Sequence, residues 1–417
     1  MVRYRPATRL SLTPVRYAPG MARLLSIDEA LALVLERVRP LTSEDVPLAD
    51  AAGRVLAEPA RAAVDLPSFA SSAMDGFALR AEDAPGLLPI AGKIAAGRPA
   101  PGRLERGTAM AIATGGVVPE GADCVVPIEL VVADEQTVEV PEPVEIGANV
   151  RPRGGDTHAG EPVVAAGVRL GPAQIGALAA AGLASVRCAR RPSVAVLATG
   201  TELVPPGEPL EPGQVYEANA ALVRAGLAAE GADVTILPRV ADDPAEHRAA
   251  LEEGLEADVL VTSGGVSVGP HDLVRGIVAE LGVEEVLWGV AVKPGKPLFF
   301  GVREATFVFG LPGNPVSSLV GLELFVRPAL RALQGLAEPG PRWRGGILGA
   351  PLRRNRARDE LVRARSRLVQ NGTILDPLAG QDSHMIARAA AADALVLVTR
   401  GDGSLPAGEP VRYLPLG

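Results

Sequence analysis

Val194-Ala195-Val196-Leu197-Ala198 is an unbroken apolar run that stops in Thr199-Gly200-Thr201-Glu202. A strand covered by helices on both faces reads this way, because neither of its sides meets water. Outward from it the same rhythm repeats. A helical stretch over 220–230 precedes a strand at 234–237, and a helix begins after Pro244. The strand Val259-Leu260-Val261-Thr262 follows, breaking at Ser263-Gly264-Gly265, and another helix starts near Pro270. Phe307-Val308-Phe309 then runs into Gly310-Leu311-Pro312-Gly313-Asn314-Pro315 and a further helix. Strand and helix alternate, which predicts a doubly wound α/β domain over residues 191–337.

The flanks are built differently. Ser26 and Glu29 form a capping box ahead of an apolar stripe of Ile27, Ala30, Leu31, Val34 and Val38. A second helix opens at Pro172 and closes around Gly182. Between them, residues 65–147 read as short strands and turns, such as Cys124-Val125-Val126-Pro127 and Val138-Glu139-Val140. The organisation expected is a helical domain (22–64 and 148–190) split by a β-rich insert (65–147), with a small β domain over 338–417. Residues 1–21 carry Arg3, Arg5, Arg9 and Arg16, no acid and no apolar core, so they read as a disordered tail and not as a secretory signal. Met21 is an alternative start.

The 417 residues carry a net charge of −8, which argues against nucleic acid or a membrane surface as partner. Aromatic residues at 3% leave little for base stacking, and two cysteines exclude a disulfide framework or a cysteine zinc site. The longest apolar stretch, 307–326, is interrupted by Pro312, Asn314, Pro315 and Glu323, so no membrane span is expected. A cytoplasmic protein fits this balance. Cys124 and Cys188 read as small core residues. The histidines His158, His247, His271 and His384 show no ligand spacing, and His247 reads as an idle residue on an exposed helix face.

Three loops leave the carboxyl ends of the expected parallel strands: 199–203, 263–269 and 310–315. In such sheets ligands bind at that edge, and glycine-rich turns before helices present backbone N–H groups to oxyanions. Ser263, Gly264, Gly265, Ser267, Gly313 and Asn314 are therefore candidate binding residues. None of the loops is a P-loop or a dinucleotide fingerprint, and glycines that merely permit tight turns are the plainer alternative. Glu202, Asp242, Asp243 and Asp272 fall at the same edge, where carboxylates serve an anionic ligand by holding a hard cation such as Mg²⁺ or by acting as bases. One of the Asp242/Asp243 pair is expected to cap the helix opening at Pro244. Lys93, Lys293 and Lys296 are the chain's only lysines, and two of them stand in Lys293-Pro294-Gly295-Lys296-Pro297. Together these features indicate a phosphorylated ligand and a divalent metal.

SAMDGFA (72–78), TGGVVPEGAD (114–123), RPRGGDTHAGE (151–161), ATGTEL (198–203), TSGGVSVGPHD (262–272), KPGKP (293–297) and GLPGNPVSS (310–318) occur in one order. In that order they resemble the molybdopterin molybdenumtransferases, the insertases of molybdenum-cofactor synthesis, similar to the E domain of gephyrin. The resemblance runs from about residue 22 to the end. It implies a C-terminal β-barrel and an elongated homodimer, with each active site between the α/β domain of one subunit and the insert of the other. It also implies that molybdate is joined to the dithiolene of adenylylated molybdopterin with Mg²⁺, releasing AMP, and that the protein meets the molybdopterin adenylyltransferase. Carried onto matching positions, Asp75, Asp156, Glu202, Asp242 and Asp272 are catalytic, and Glu202, Asp242 and Asp272 are metal ligands or bases. Thr114, Lys293, Lys296, Arg363 and Ser383 bind or border substrate. Departures stand at Ser71, Gly155, Thr201, Leu273 and Gly289, the last removing a positive charge several relatives carry. The alternatives are an adenylyltransferase, which shares the α/β domain, and a non-catalytic molybdopterin-binding or scaffolding protein.

Overall fold

The computed structural model describes residues 24–241, 243–265 and 273–416. They form two compact units, one of 24–38, Pro192–Leu330 and 340–416, the other of Arg39–Arg191 and Arg331–Pro339.

In the first unit the apolar run becomes the strand Ser193–Ala198, second in a six-stranded sheet. The order is Asp233–Ile236, Ser193–Ala198, Val259–Ser263, Thr306–Leu311, Phe299–Arg303, Glu284–Trp288. The first four strands are parallel, Phe299–Arg303 runs against them, and Glu284–Trp288 pairs antiparallel with Phe299–Arg303. Ala195, Leu197, Leu260 and Val308 pack against Leu251 of the helix Pro244–Gly254, its C-cap Leu255, and Val274 and Ile277 of Leu273–Glu280. The intervening Val194, Val196, Val259 and Val261 are buried as well. Both faces being dry, the strands read as solid apolar runs.

Two features of this unit position loops. The helix Ile27–Arg37 has the expected capping box, with the Glu29 N–H donating to Ser26 Oγ at 3.2 Å, and buries Ile27, Ala30 and Val34. It packs in the first unit, where Arg37 pairs with Glu284, although its sequence position groups it with 148–190. The C-terminal segment forms a five-stranded barrel of Asp359–Val369, Gly372–Pro377, Arg344–Leu348, Pro410–Pro415 and Ala394–Val398. It is closed by pairing of the first strand with the last, which leaves that ring without an open edge. The short strand Val292–Lys293 joins it alongside Asp359–Val369.

The second unit holds the open six-stranded insert sheet, ordered Cys124–Pro127, Gly76–Leu79, Ala109–Ile112, Gly86–Ile94, Thr137–Val140, Val132–Ala133. The segments around it are less helical than expected. Pro172–Ala180 is their α-helix here, and the rest is short antiparallel pairs such as Ser43–Pro47 with Ser185–Ala189. Alternate strand residues Val46, Val186 and Cys188 close on Leu178 of that helix, so pleated pairs do the burying that a helical stripe was expected to do. Cys124 and Cys188 are both buried, and burial pushes the Cys124 thiol up to about 12.

Candidate active site

In the insert, Asp75 follows the pair Ser71–Ser72 and precedes the strand Gly76–Leu79. Gly76 packs so closely on the neighbouring strand that a Cβ there would lie 2.0 Å from the Val126 carbonyl oxygen. On its other side Gly76 pairs with Ile112, which brings Asp75 to the end of the strand Ala109–Ile112. Its carboxylate accepts the Thr114 backbone N–H at 2.6 Å and the Thr114 hydroxyl at 3.0 Å. These two donors, the backbone one foremost, hold Asp75 below the ordinary carboxylate range. Two expected site residues thus form one clamp, and both are exposed.

Asp156 lies in the loop 151–161 of the same unit, with its N–H on the Leu66 carbonyl at 2.9 Å. The loop is tied by a residue the sequence did not single out. Asp65 accepts the Ala159 N–H at 2.9 Å and Arg153 Nε at 2.6 Å, contacts that lower its pKa. Gly154, at φ +69, lies so close to His158 that a Cβ would be 2.3 Å from Nδ1. Asp156 itself stays exposed, and its carboxylate accepts no hydrogen bond from a described residue.

In the first unit the three loops meet at the carboxyl edge of the parallel strands. The Thr199 N–H donates to the Ser263 carbonyl at 3.1 Å and the Gly264 N–H to the Leu311 carbonyl at 3.1 Å. Gly264 (φ +94) and Gly265 (φ +66) turn the chain against Thr199, whose carbonyl oxygen would lie 2.6 Å from a Cβ on Gly264. A Cβ on Gly313 would be 3.9 Å from Gly264 Cα. Asn219 spans the gap, its Nδ2 donating to Ser263 Oγ at 2.8 Å and to the Gly313 carbonyl at 2.7 Å. An asparagine opening a helix reads locally as a cap, and that conceals this longer-range contact. Glu202 is exposed on the first loop; its carbonyl accepts the Val215 N–H at 2.9 Å, while its carboxylate accepts no hydrogen bond from a described residue. Asp243 caps the helix Pro244–Gly254 through the Ala245 and Glu246 N–H groups, both at 2.9 Å. Asp242, Ser267 and Asp272 lie outside the described residues, as does His271.

The barrel reaches this edge at two points. Lys293 Nζ pairs with Glu360 of the strand Asp359–Val369 at 3.0 Å, while Lys296 is exposed. The Ser383 carbonyl accepts the Val316 N–H at 3.1 Å, which sets Ser383 beside Asn314, the N-cap of the helix Pro315–Gly321. Arg363 differs from expectation. It is 1% exposed and donates to the Gly380, Asp382 and Met385 carbonyls and to Gln381 Oε1. With its guanidinium so engaged it supports the loop carrying Ser383. The placement of His247 on an exposed face is also overturned. It is 1% exposed, and its Nδ1 lies 2.9 Å from the Asp243 carbonyl. The helix turns that face inward, and the ring meets its polar need within its own first turn.

Among the described residues no group of three metal-ligating side chains occurs. No helix among them is long and apolar enough to cross a membrane. Three family models match in succession: the MoeA N-terminal region (domain I and II) over 25–182, a probable molybdopterin binding domain over 195–332, and the MoeA C-terminal region (domain IV) over 346–416. Molybdopterin molybdenumtransferase 2 of Mycobacterium tuberculosis is 38% identical over 354 residues, 81% of this chain and 87% of the relative. Molybdopterin molybdenumtransferase of Haemophilus influenzae is 34% identical over 399 residues, 94% and 98% of the two chains. The crystal structure of the molybdopterin biosynthesis MoeA protein from Pyrococcus horikoshii matches with a TM-score of 0.82 at 28% identity, covering 94% of this chain and 100% of that one. With both units and the barrel matched in sequence and in fold, the chain belongs to the molybdopterin molybdenumtransferases, a family of transferases in molybdenum-cofactor biosynthesis.

Proposed function

We propose that the protein inserts molybdate into adenylylated molybdopterin with Mg²⁺, releasing AMP and forming molybdenum cofactor. The observation that carries this reading is the convergence of the loops at Thr199, Ser263–Gly265 and Gly313 on one sheet edge, with Lys293 and Ser383 brought to the same unit's loops by the barrel. Backbone N–H groups and hydroxyls in such a cradle bind phosphate oxygens. Exposed Lys296 supplies positive charge that draws an oxyanion in, and Lys293, held by Glu360, is positioned beside it.

Glu202 offers a free carboxylate at this edge, and Asp242 and Asp272 complete the proposed Mg²⁺ ligands. Hard carboxylate oxygens are the donors Mg²⁺ takes, and it fills its remaining positions with phosphate oxygens and water. When bound, the ion neutralises charge on the phosphoanhydride. Asp75, kept ionised by Thr114, and Asp156 are the proposed carboxylates of the second unit. The protein acts in the cytoplasm as a homodimer and receives its substrate from the molybdopterin adenylyltransferase.

The test is incubation of the purified protein with adenylylated molybdopterin, Mg²⁺ and either molybdate or tungstate, following AMP and the metal held by the dithiolene. Oxyanion-dependent AMP release is the expected result, and the two arms report which oxyanion is preferred. Binding without turnover overturns the reading in favour of a molybdopterin-binding or scaffolding protein, and adenylylation of molybdopterin from ATP overturns it in favour of an adenylyltransferase.

A further inference from the structure

Asn219 Nδ2 lies 2.7 Å from the Gly313 carbonyl oxygen and 2.8 Å from Ser263 Oγ. A carbonyl oxygen only accepts, so the atom facing it is the amide NH₂, and the orientation of the Asn219 side chain follows from chemistry alone. The NH₂ group has two hydrogens, one for each neighbour. Ser263 Oγ is consequently an acceptor in this pair, and its own proton points away from Asn219. Ser263 is 2% exposed, and its hydroxyl donates to no described residue. A buried donor left without an acceptor is unfavourable, and it stands at the edge where Gly264 and Gly313 approach each other.

We propose that Asn219 is a positioning residue that holds the Ser263 hydroxyl as a donor to an anionic oxygen of the ligand, and this rests on the reading that these loops bind molybdopterin or molybdate. An anionic acceptor suits the hydroxyl because such bonds are short and roughly twice as strong as neutral ones. The amide has a second effect through the same atom. By bonding Gly313 as well as Ser263, it fixes the separation of the Ser-Gly-Gly and Gly-Asn-Pro loops. Asn219→Asp has nearly the same shape but reverses the polarity. A carboxylate at 219 donates nothing to Gly313 and takes the Ser263 proton for itself.

The test is calorimetric titration of wild type, Asn219→Ala, Ser263→Ala, the double variant and Asn219→Asp, with molybdopterin and separately with molybdate alone. AMP release from adenylylated molybdopterin with Mg²⁺ and molybdate is followed in parallel, and thermal unfolding checks each fold. Asn219→Ala and Ser263→Ala are each expected to weaken the same ligand about tenfold or more. The double variant should match Asn219→Ala within about twofold, because Asn219→Ala already removes the Ser263 interaction along with the Gly313 bond. Asn219→Asp should weaken that ligand at least as much as Asn219→Ala, and it keeps the test available if the alanine variant does not fold. The ligand affected identifies whether the oxygen belongs to the pterin phosphate or to the oxyanion. Independent, additive losses, or unchanged binding in Asn219→Ala or Asn219→Asp, overturn the inference. Wild type that binds molybdopterin but releases no AMP from adenylylated molybdopterin with Mg²⁺ and molybdate overturns the proposed reaction alone, and wild type that binds neither ligand overturns both.

Discussion

Asp75 accepts two hydrogen bonds from one residue, and each favours its ionised form. Its pKa is lower in the folded protein than in the unfolded chain. The clamp's contribution is therefore fully present above the ordinary carboxylate range and is lost as pH falls through the depressed folded value. Thr114→Val removes the hydroxyl and keeps the backbone donor, so the Asp75 pKa should rise part of the way toward its ordinary value. Carboxyl-carbon NMR titration of Asp75 reads this directly, and an unchanged midpoint would exclude the hydroxyl from the clamp. Arg363 makes the complementary case. Arg363→Met leaves the half-buried Gly380 and Met385 carbonyls and the more exposed Asp382 carbonyl without their donor, a loss of about 2–3 kcal/mol at roughly 1 kcal/mol for each partly solvated group. Urea unfolding measures that loss. Hydrogen exchange should show the loop 378–385 opening first, and a variant as stable as wild type would refute the supporting role.

Elements were legible where one local signal decided them. Ser26 and Glu29 announce a helix because both cap donors and acceptors lie within one turn, and the run before Thr199 announces a doubly covered strand. The helix Pro315–Gly321 shows where such signals stop. It continues through Leu322–Val326, a wider π-type turn, into Arg327–Leu333, and the Arg327 N–H donates to the Leu322 carbonyl. Pro328 has no N–H to offer Leu324, so the helix widens there without breaking. The loop glycines are more demanding than their count suggests. Gly264 is required both by φ +94 and by the approach of Thr199. Gly264→Ala should cost about 1–3 kcal/mol of local strain and displace the Ser263 hydroxyl. The expected outcome is loss of molybdopterin binding with a fall in unfolding midpoint of only a few degrees. Retained affinity would show that the turn tolerates a Cβ.

At the scale of the whole molecule, sedimentation equilibrium should give twice the chain mass, and a monomer at micromolar concentration would overturn the proposed homodimer. The sequence by itself determined the alternation of strands and helices, the capped first helix, the β-rich insert, and the glycine loops at the strand ends. It could do so because periodicity and caps report how a short stretch meets water, and a short stretch is all they need. The tertiary structure alone decided which polar groups meet: Asp75 with Thr114, Lys293 with Glu360, Asn219 with Ser263 and Gly313, Asp65 with Arg153 and Ala159. It also turned His247 and Arg363 inward, against the usual reading of a charged or ionisable side chain. Such pairs join residues distant in the chain and leave no period behind them. Their partners are set by how the sheet edge and the barrel bring loops together, because a buried donor must find its acceptor wherever the packed chain supplies one.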